Sequence, residues 1–486
     1  MNLLELLPRS DTPAIIDPRR TITFAELERA SAGLAAELSA DGLRTGDFAL
    51  ILHPMALELY VALLAVWRVG AVAMFLDPSA GRLHIEQCCA VQPPRAFLGS
   101  RQALWLRWVH PALRRIPLCR IIRLPKTVAT AMVIPQTDAE APALLTFTSG
   151  STGQPKAALR THGFLLAQHR ALAGTLKPTV GSVDLTTLPI FVLSNLASSV
   201  SSLIPDADLR RPGDIMPGPI LAQIEKHRPT STAASPAFFE RLARHRLSSF
   251  QKIFAGGAPV FPNLIDKLQR AAPQAEIVAV YGSTEAEPMA HISHHEISDA
   301  DRRAMQTGKG LLAGQPVSMI ELRVVYDEWG RPKNNAACLP VHEPGEIVVA
   351  GNHVLPGYLH SQGDDELKFD AEGRRWHRTG DAGYFDERGR LWLLGRCAAK
   401  VVDERGVLYP FAVECATQPW RTAFVGYHGR RLLVVESGAP TDWKDRLTWA
   451  CIDQVRVLRR IPLDKRHNAK VDYPALHRLL DDERKH

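Results

Sequence analysis

Hydrophobic positions along the first 280 residues recur in two alternating rhythms. Phe24, Leu27, Leu34 and Leu38 return at helical spacing, and Thr23 with Glu26 carries the signature of a capping box. Gly42 and Gly46 end that helix, and FALIL at 48–52 reads as a buried strand. A helix over about 56–68 and a strand over 71–77 follow. The rhythm continues through LLTFTSG, a helix around 162–174, VDLTTLP, a helix near 219–227 and EIVAVYG at 276–282. This alternation predicts an α/β fold of layered, largely parallel sheets and helices. After about 315 the texture changes to short strands: ELRVVYD, GEIVVAGN and GYFDERGRLWLLGR, the last a hairpin turning at ERG. From about 403 a small α+β unit follows, with VLYPFAVE, TAFVGYH, RRLLVVES, a helix near 441–457, and a final polar loop and helix. The predicted organisation is a large N-terminal domain over 1–396 with a β-rich subdomain, a hinge over 397–402 and a small C-terminal cap domain over 403–486.

Composition narrows the class. With 486 residues, 46% hydrophobic and 22% charged, the chain is an ordinary globular protein with room for several cores. Its longest apolar run, 59–76, is interrupted by Arg68 and Gly70, so it reads as a buried helix and a strand, not a membrane span. MNLLELLPRSD has no basic region and no small-residue cleavage site, and predicts no signal peptide. Seven cysteines without a C-x-x-C pair predict neither a zinc site nor a disulfide framework, and suit a reducing cytoplasm. The net charge of +7 favours anionic ligands without choosing among them. We find neither zinc-finger spacing nor an aromatic-interleaved basic patch, and expect no nucleic-acid partner.

The stretch TFTSGSTGQPK at 146–156 packs hydroxyls, glycines and a lysine behind an apolar run. Glycines let successive N–H groups converge on an anion and Lys156 adds a full charge, which suits a polyphosphate. The bland alternative for the stretch alone is a flexible polar linker. It is not a Walker A loop, because Pro155 precedes the lysine and Ala157 follows it. AGGAP at 255–259 puts adjacent glycines where a strand ends, which allows close approach of a flat ligand such as adenine. YGSTEAE at 281–287 ends a predicted strand with a ring, a glycine, two hydroxyls and a carboxylate. HRTGDAGYFDERGRLWLLGR at 377–396 holds Asp381 in a glycine-flanked turn and Arg396 at the end of the hairpin. KVVDERGVLYP opens the small unit, and PLDKRHNAKVDYPAL at 462–476 presents Lys470 on a polar loop. Each segment by itself is an ordinary turn, cap or solvated charge. Their order and spacing carry the information.

In that order the motifs resemble the adenylate-forming superfamily of AMP-binding enzymes, over about 20–475. The superfamily includes acyl-CoA synthetases, peptide-synthetase adenylation domains and luciferases. The resemblance implies an ATP-dependent ligase that uses Mg²⁺. Thr148, Ser149, Gly150, Ser151, Thr152, Gly153 and Lys156 would cradle the β- and γ-phosphates of ATP. Gly256, Gly257 and Ala258 would line the adenine pocket, with Tyr281 stacked on the ring and Gly282 in the same nucleotide site. Thr284 would touch the α-phosphate and Glu285 would hold Mg²⁺. Asp381 would accept both ribose hydroxyls, with Arg396 on the same sugar. Lys470 would bridge the carboxylate and the α-phosphate, where a fixed cation stabilises the transition state.

The acyl acceptor is the unusual part. Thiol-transferring members carry glycines after the hinge, where this chain has VVDERGVLYP. Val192 stands where a histidine gate is expected, and Ala399 where a charged hinge residue is usual. RTHGF, PIFVLSNLASSVSSLIPDAD, ASPAFFERL, GVLYP and RHNAK are instead similar to the β-lactone synthetases of bacterial olefin biosynthesis. That branch adenylates a 2-alkyl-3-hydroxy acid, whose own 3-hydroxyl then attacks the activated carbonyl. The likeness implies olefin-type pathway partners: a thiolase, a reductase and a lactone decarboxylase. An acyl-CoA ligase, or an enzyme loading a carrier protein, is the alternative. A third reading, a nucleotide-binding protein without catalysis, is disfavoured by Glu285, Asp381 and Lys470. Phe191, Val192, Leu193 and Leu196, with Phe238 and Phe239, are the candidate acyl pocket or else ordinary core. His162 and His467 are candidate bases for the hydroxyl proton.

Overall fold

The structure is a computed structural model that describes residues 2–77, 80–124, 138–149, 155–463 and 470–482. The chain divides into two compact units. One comprises Met1–Asp206, Ala222–Thr230 and Asn352–Asp365, and the other Ala207–Leu221, Ser231–Gly351 and Glu366–His486.

The first unit is built as its alternating pattern dictates. The helix Phe24–Ala40 starts at the expected capping box, in which Thr23 and Glu26 each bond the other's backbone N–H. The apolar run divides as read, into the helix Leu57–Val69 and the strand Val72–Phe75. Gly70 makes the break by closing the helix in a left-handed conformation, φ 80°. A six-stranded sheet runs in the order Leu118–Ile121, Ala96–Gly99, Phe48–Leu52, Val72–Phe75, Pro142–Ser149, Pro155–Thr161. Its neighbours are parallel except the last pair, which is antiparallel. A second group of strands orders Val183–Thr186, Ser201–Leu203, Pro13–Ile16 and Thr21–Thr23 side by side.

In the second unit, Ser231–Ala234, Lys252–Ala255 and Glu276–Ser283 are parallel neighbours. Antiparallel pairing takes over from Ala286–Ser293 through the strand Leu391–Arg396. The hairpin of Arg374–Phe385 with Leu391–Arg396 turns where ERG predicts, and Gly389 adopts φ 69° there. The C-terminal part has its own core, which includes Val413, Phe424, Leu433, Val435 and Trp443. Three strands form its sheet: Thr422–Tyr427, Arg430–Glu436 and Gln454–Leu458.

The helix expected near 441–457 is not there. Trp443–Arg446 makes one turn and Thr448–Ala450 another, and Cys451 at φ 48° ends the run. Residues Gln454–Leu458 then pair in parallel with the preceding strand. The helical spacing of Trp443, Leu447 and Ala450 is real, since all three are buried in the core. The ladder beyond them outweighs local propensity. All seven cysteines are free thiols. Among the described residues no helix is long and apolar enough to cross a membrane.

Candidate active site

A cleft of about 1180 Å³ opens in the second unit. Gly257, Ala258, Tyr281, Gly282, Asp381, Arg396 and Lys470 all border it. Two parallel strands deliver the first four: Lys252–Ala255 ends opposite Ala279, and Glu276–Ser283 runs on past it to carry Tyr281 and Gly282. Gly256 lies just behind the wall. A Cβ there would stand 3.1 Å from the Val280 carbonyl oxygen, so its role is close approach of the two backbones. Gly257 turns the chain into the cleft at φ 81°.

Register brings the charged pair together. Asp381 and Arg396 are direct cross-strand partners in the hairpin. The Arg396 Nε lies 3.3 Å from Asp381 Oδ1, and its Nη1 donates to the Thr379 carbonyl at 2.9 Å. The Tyr281 hydroxyl donates to Asp381 Oδ2 at 2.8 Å. Burial, and then the Asp381 charge, push the Tyr281 phenol well above its ordinary value, so it stays a donor. The Asp381 charge likewise raises Arg396. The ring of Tyr281 is thereby fixed at the cleft wall with a carboxylate at its tip.

Thr284 and Glu285 form the tip of the turn between Glu276–Ser283 and Ala286–Ser293. The Glu285 N–H donates to Ser283 Oγ at 3.3 Å, and the Glu285 charge is felt at both Arg396 and His377. No group of three or more His, Cys, Asp or Glu side chains suited to a metal occurs among the described residues. One carboxylate with hydroxyls beside it suits Mg²⁺ that arrives with a polyphosphate and keeps several waters. Lys470 borders the cleft, and its neighbour Val471 forms an antiparallel bridge with Leu463. Residues 464–469, including His467, lie outside the described residues.

In the first unit, the expected phosphate loop connects an antiparallel pair. Thr148 faces Lys156 and Ser149 faces Pro155 in register, while Gly150, Ser151, Thr152 and Gly153 lie outside the described residues. Lys156 is buried, with its Nζ 5.9 Å from the Tyr358 ring centroid. Gly363, at φ 94°, leaves it room, since a Cβ there would meet Lys156 Cε at 2.6 Å. Phe191, Val192, Leu193 and Leu196 are buried on the helix Pro189–Ala197. That helix is tied down by Asn195, whose Nδ2 donates to Asp184, Thr186 and Ser202 at 3.0–3.1 Å. His162 is buried against Trp67, and burial lowers its pKa to about 4.

Phe238 and Phe239 pack edge to face inside the second unit, fully buried. Their helix, Pro236–Leu242, offers the cleft Pro236, Ala237, Glu240 and Arg241 instead. Reading the sequence also missed Glu414, a cleft residue. Its Oε1 accepts from the Tyr473 hydroxyl at 2.7 Å, and burial raises its pKa to about 7. It missed Asp327 as well, which takes a 2.9 Å ion pair from Lys400 and a 2.7 Å bond from the Tyr409 hydroxyl. Burial alone would raise Asp327, but these bonds outweigh it and hold the carboxyl below its usual range.

Residues 7–359 match the family described as "AMP-binding enzyme". The chain belongs to that family. As an AMP-binding enzyme of the adenylate-forming superfamily, it is a ligase that activates a carboxylic acid with ATP. An olefin beta-lactone synthetase of Stenotrophomonas maltophilia is 30% identical over 93% of this chain and 90% of its own. One from Xanthomonas campestris is 32% identical over 84% of this chain and 78% of its own. The fold is that of the O-succinylbenzoate Coenzyme A synthetase of Bacillus subtilis solved with ATP and a magnesium ion. The match has a TM-score of 0.79 at 22% identity and covers 99% of each chain.

Proposed function

We propose that this AMP-binding enzyme is an ATP-dependent β-lactone synthetase acting on a 3-hydroxy acid, with a 2-alkyl fatty acid as the substrate class. The observation that carries the nucleotide half is the single cleft bordered by Tyr281, Asp381, Arg396 and Lys470. The lactone half is supported by likeness to two olefin beta-lactone synthetases over most of the chain.

In this reading a carboxylate oxygen attacks the α-phosphorus, and the bond to pyrophosphate breaks. Asp381 holds the ribose, Tyr281 supports the adenine, and the loop 148–156 grips the outer phosphates. Thr284 contacts the α-phosphate. Mg²⁺ on Glu285 would neutralise charge on the phosphates. Lys470 stabilises the charge that develops between carboxylate and phosphate. The 3-hydroxyl oxygen then attacks the acyl carbon and loses its proton. The bond from that carbon to the phosphate-bridging oxygen breaks, AMP leaves and the four-membered ring closes. A pocket that aligns the internal nucleophile lowers the barrier by as much as about 7–11 kcal/mol. We read 403–486 as the cap that carries Lys470, with 397–402 as its hinge. Phe191, Val192, Leu193 and Leu196 belong to the acyl side, while Phe238 is packed in the core of the second unit.

The second reading, an acyl-CoA ligase, is favoured by the fold shared with a Coenzyme A synthetase. Product analysis separates the two. With ATP, Mg²⁺ and a 3-hydroxy acid, the account predicts a lactone with or without coenzyme A. A thioester formed only with coenzyme A, and no lactone, overturns it.

A further inference from the structure

The helix Arg101–Val109 buries none of its residues. Trp105 is 75% exposed, Trp108 78% and Val109 59%. Arg101, Trp105 and Trp108 follow the i, i+4, i+7 pattern and share one stripe. Ala103, Leu104 and Leu106 are partly buried against the core of the six-stranded sheet. The stripe is held in place by a double tie. Arg107 Nη2 donates to the Arg114 carbonyl at 3.1 Å, and Arg114 Nη2 donates to the Trp108 carbonyl at 2.7 Å. This fixes the following turn, with its exposed Arg115, beside the tryptophans.

Charge along this segment of the chain has one sign. Between Glu86 and Asp138 the chain contains no acidic residue, while Arg95, Arg101, Arg114, Arg115 and Arg123 are exposed. Arg120 is turned to Glu37 and Asp41 of another helix. The structure therefore corrects the expectation of no aromatic-interleaved basic patch, because the 101–115 segment is one. The overall balance of +7 hides it, since acidic residues elsewhere offset the arginines.

We propose that this helix is a docking face for an anionic lipid bilayer. Indole rings settle at the headgroup level, where the ring is desolvated and its N–H stays wet. Arginines beside them meet lipid phosphates. A helix with two exposed indoles, an exposed valine and exposed arginines on an acid-free stretch of chain offers both kinds of contact. A protein partner would need an acidic surface that is also apolar at its centre, and a nucleic acid has no use for Val109. The inference does not depend on which acid the enzyme activates.

Co-sedimentation with vesicles tests it. The wild-type chain is expected to partition onto equimolar phosphatidylcholine and phosphatidylglycerol, less so as salt rises, and not onto phosphatidylcholine alone. Trp105→Ala with Trp108→Ala, and separately Arg101→Glu with Arg115→Glu, should each weaken partitioning by at least about tenfold. ATP-dependent pyrophosphate release by both variants in vesicle-free buffer should stay at the wild-type level. Absence of wild-type binding to the anionic vesicles, or variants that bind as the wild type does, overturns the proposal. A tryptophan-dependent shift of an oligonucleotide without vesicle binding would also overturn it and assign the face to nucleic acid.

Discussion

Asp381 depends on its neighbours for its place. Arg396 approaches one carboxylate oxygen and Tyr281 bonds the other, so the group is oriented before any ligand arrives. Lys470 borders the same cleft. We predict that Lys470→Ala lowers acid-dependent pyrophosphate release by about 10²–10³-fold while ATP affinity changes only a few-fold. Unchanged release would remove Lys470 from the reaction. Asp381, Arg396 and Lys470 stood out in the sequence by the order and spacing of the segments that carry them. Glu414 was not legible. It lies in PFAVECA, and nothing in that string says its carboxylate faces Tyr473 in a buried cleft. Asp327 is similar, since its partners Lys400 and Tyr409 lie 73 and 82 residues away.

At the scale of elements, periodicity told most of the story. The helices and strands that the pattern predicts in the first unit, and the late hairpin, fall where it puts them, while the elements over 82–121 and the helix Pro189–Ala197 were not read. Cross-strand register, which joins Asp381 to Arg396, is not visible until the turn geometry is known. The segment 441–457 misled because three buried positions at helical spacing can belong to two short turns. The hairpin carrying Asp381 also depends on an ion pair that the sequence hides. Arg378 donates from Nε and Nη2 to the two oxygens of Glu346 at 2.9 and 2.8 Å, and both side chains are almost wholly buried. Burial pushes the Glu346 carboxyl up even though Arg378 opposes the shift. Glu346→Ala would strand the guanidinium and should cost about 3–5 kcal/mol of unfolding free energy, read from the urea midpoint. A midpoint unchanged from wild type would show that water or another group takes the place of Glu346.

Over the whole molecule, parallel strands and one hairpin build the cleft of the second unit, which we propose binds the nucleotide. The first unit holds Lys156 and the apolar helix Pro189–Ala197. This division follows the general placement of ligands at the carboxyl ends of strands in α/β sheets. Family membership was legible from motif order alone, because spacing over hundreds of residues constrains a chain more than any single motif. The acceptor was less legible, since an internal hydroxyl requires no second binding motif. The central claim is that the carboxylate gives up one of its oxygens to AMP and the 3-hydroxyl supplies the ring oxygen. It is tested by labelling both carboxylate oxygens of a 3-hydroxy acid with heavy oxygen and weighing both products. The account predicts one heavy oxygen in AMP and one in the lactone. Two in the lactone and none in AMP would mean that the hydroxyl had been activated and displaced instead, and would contradict it.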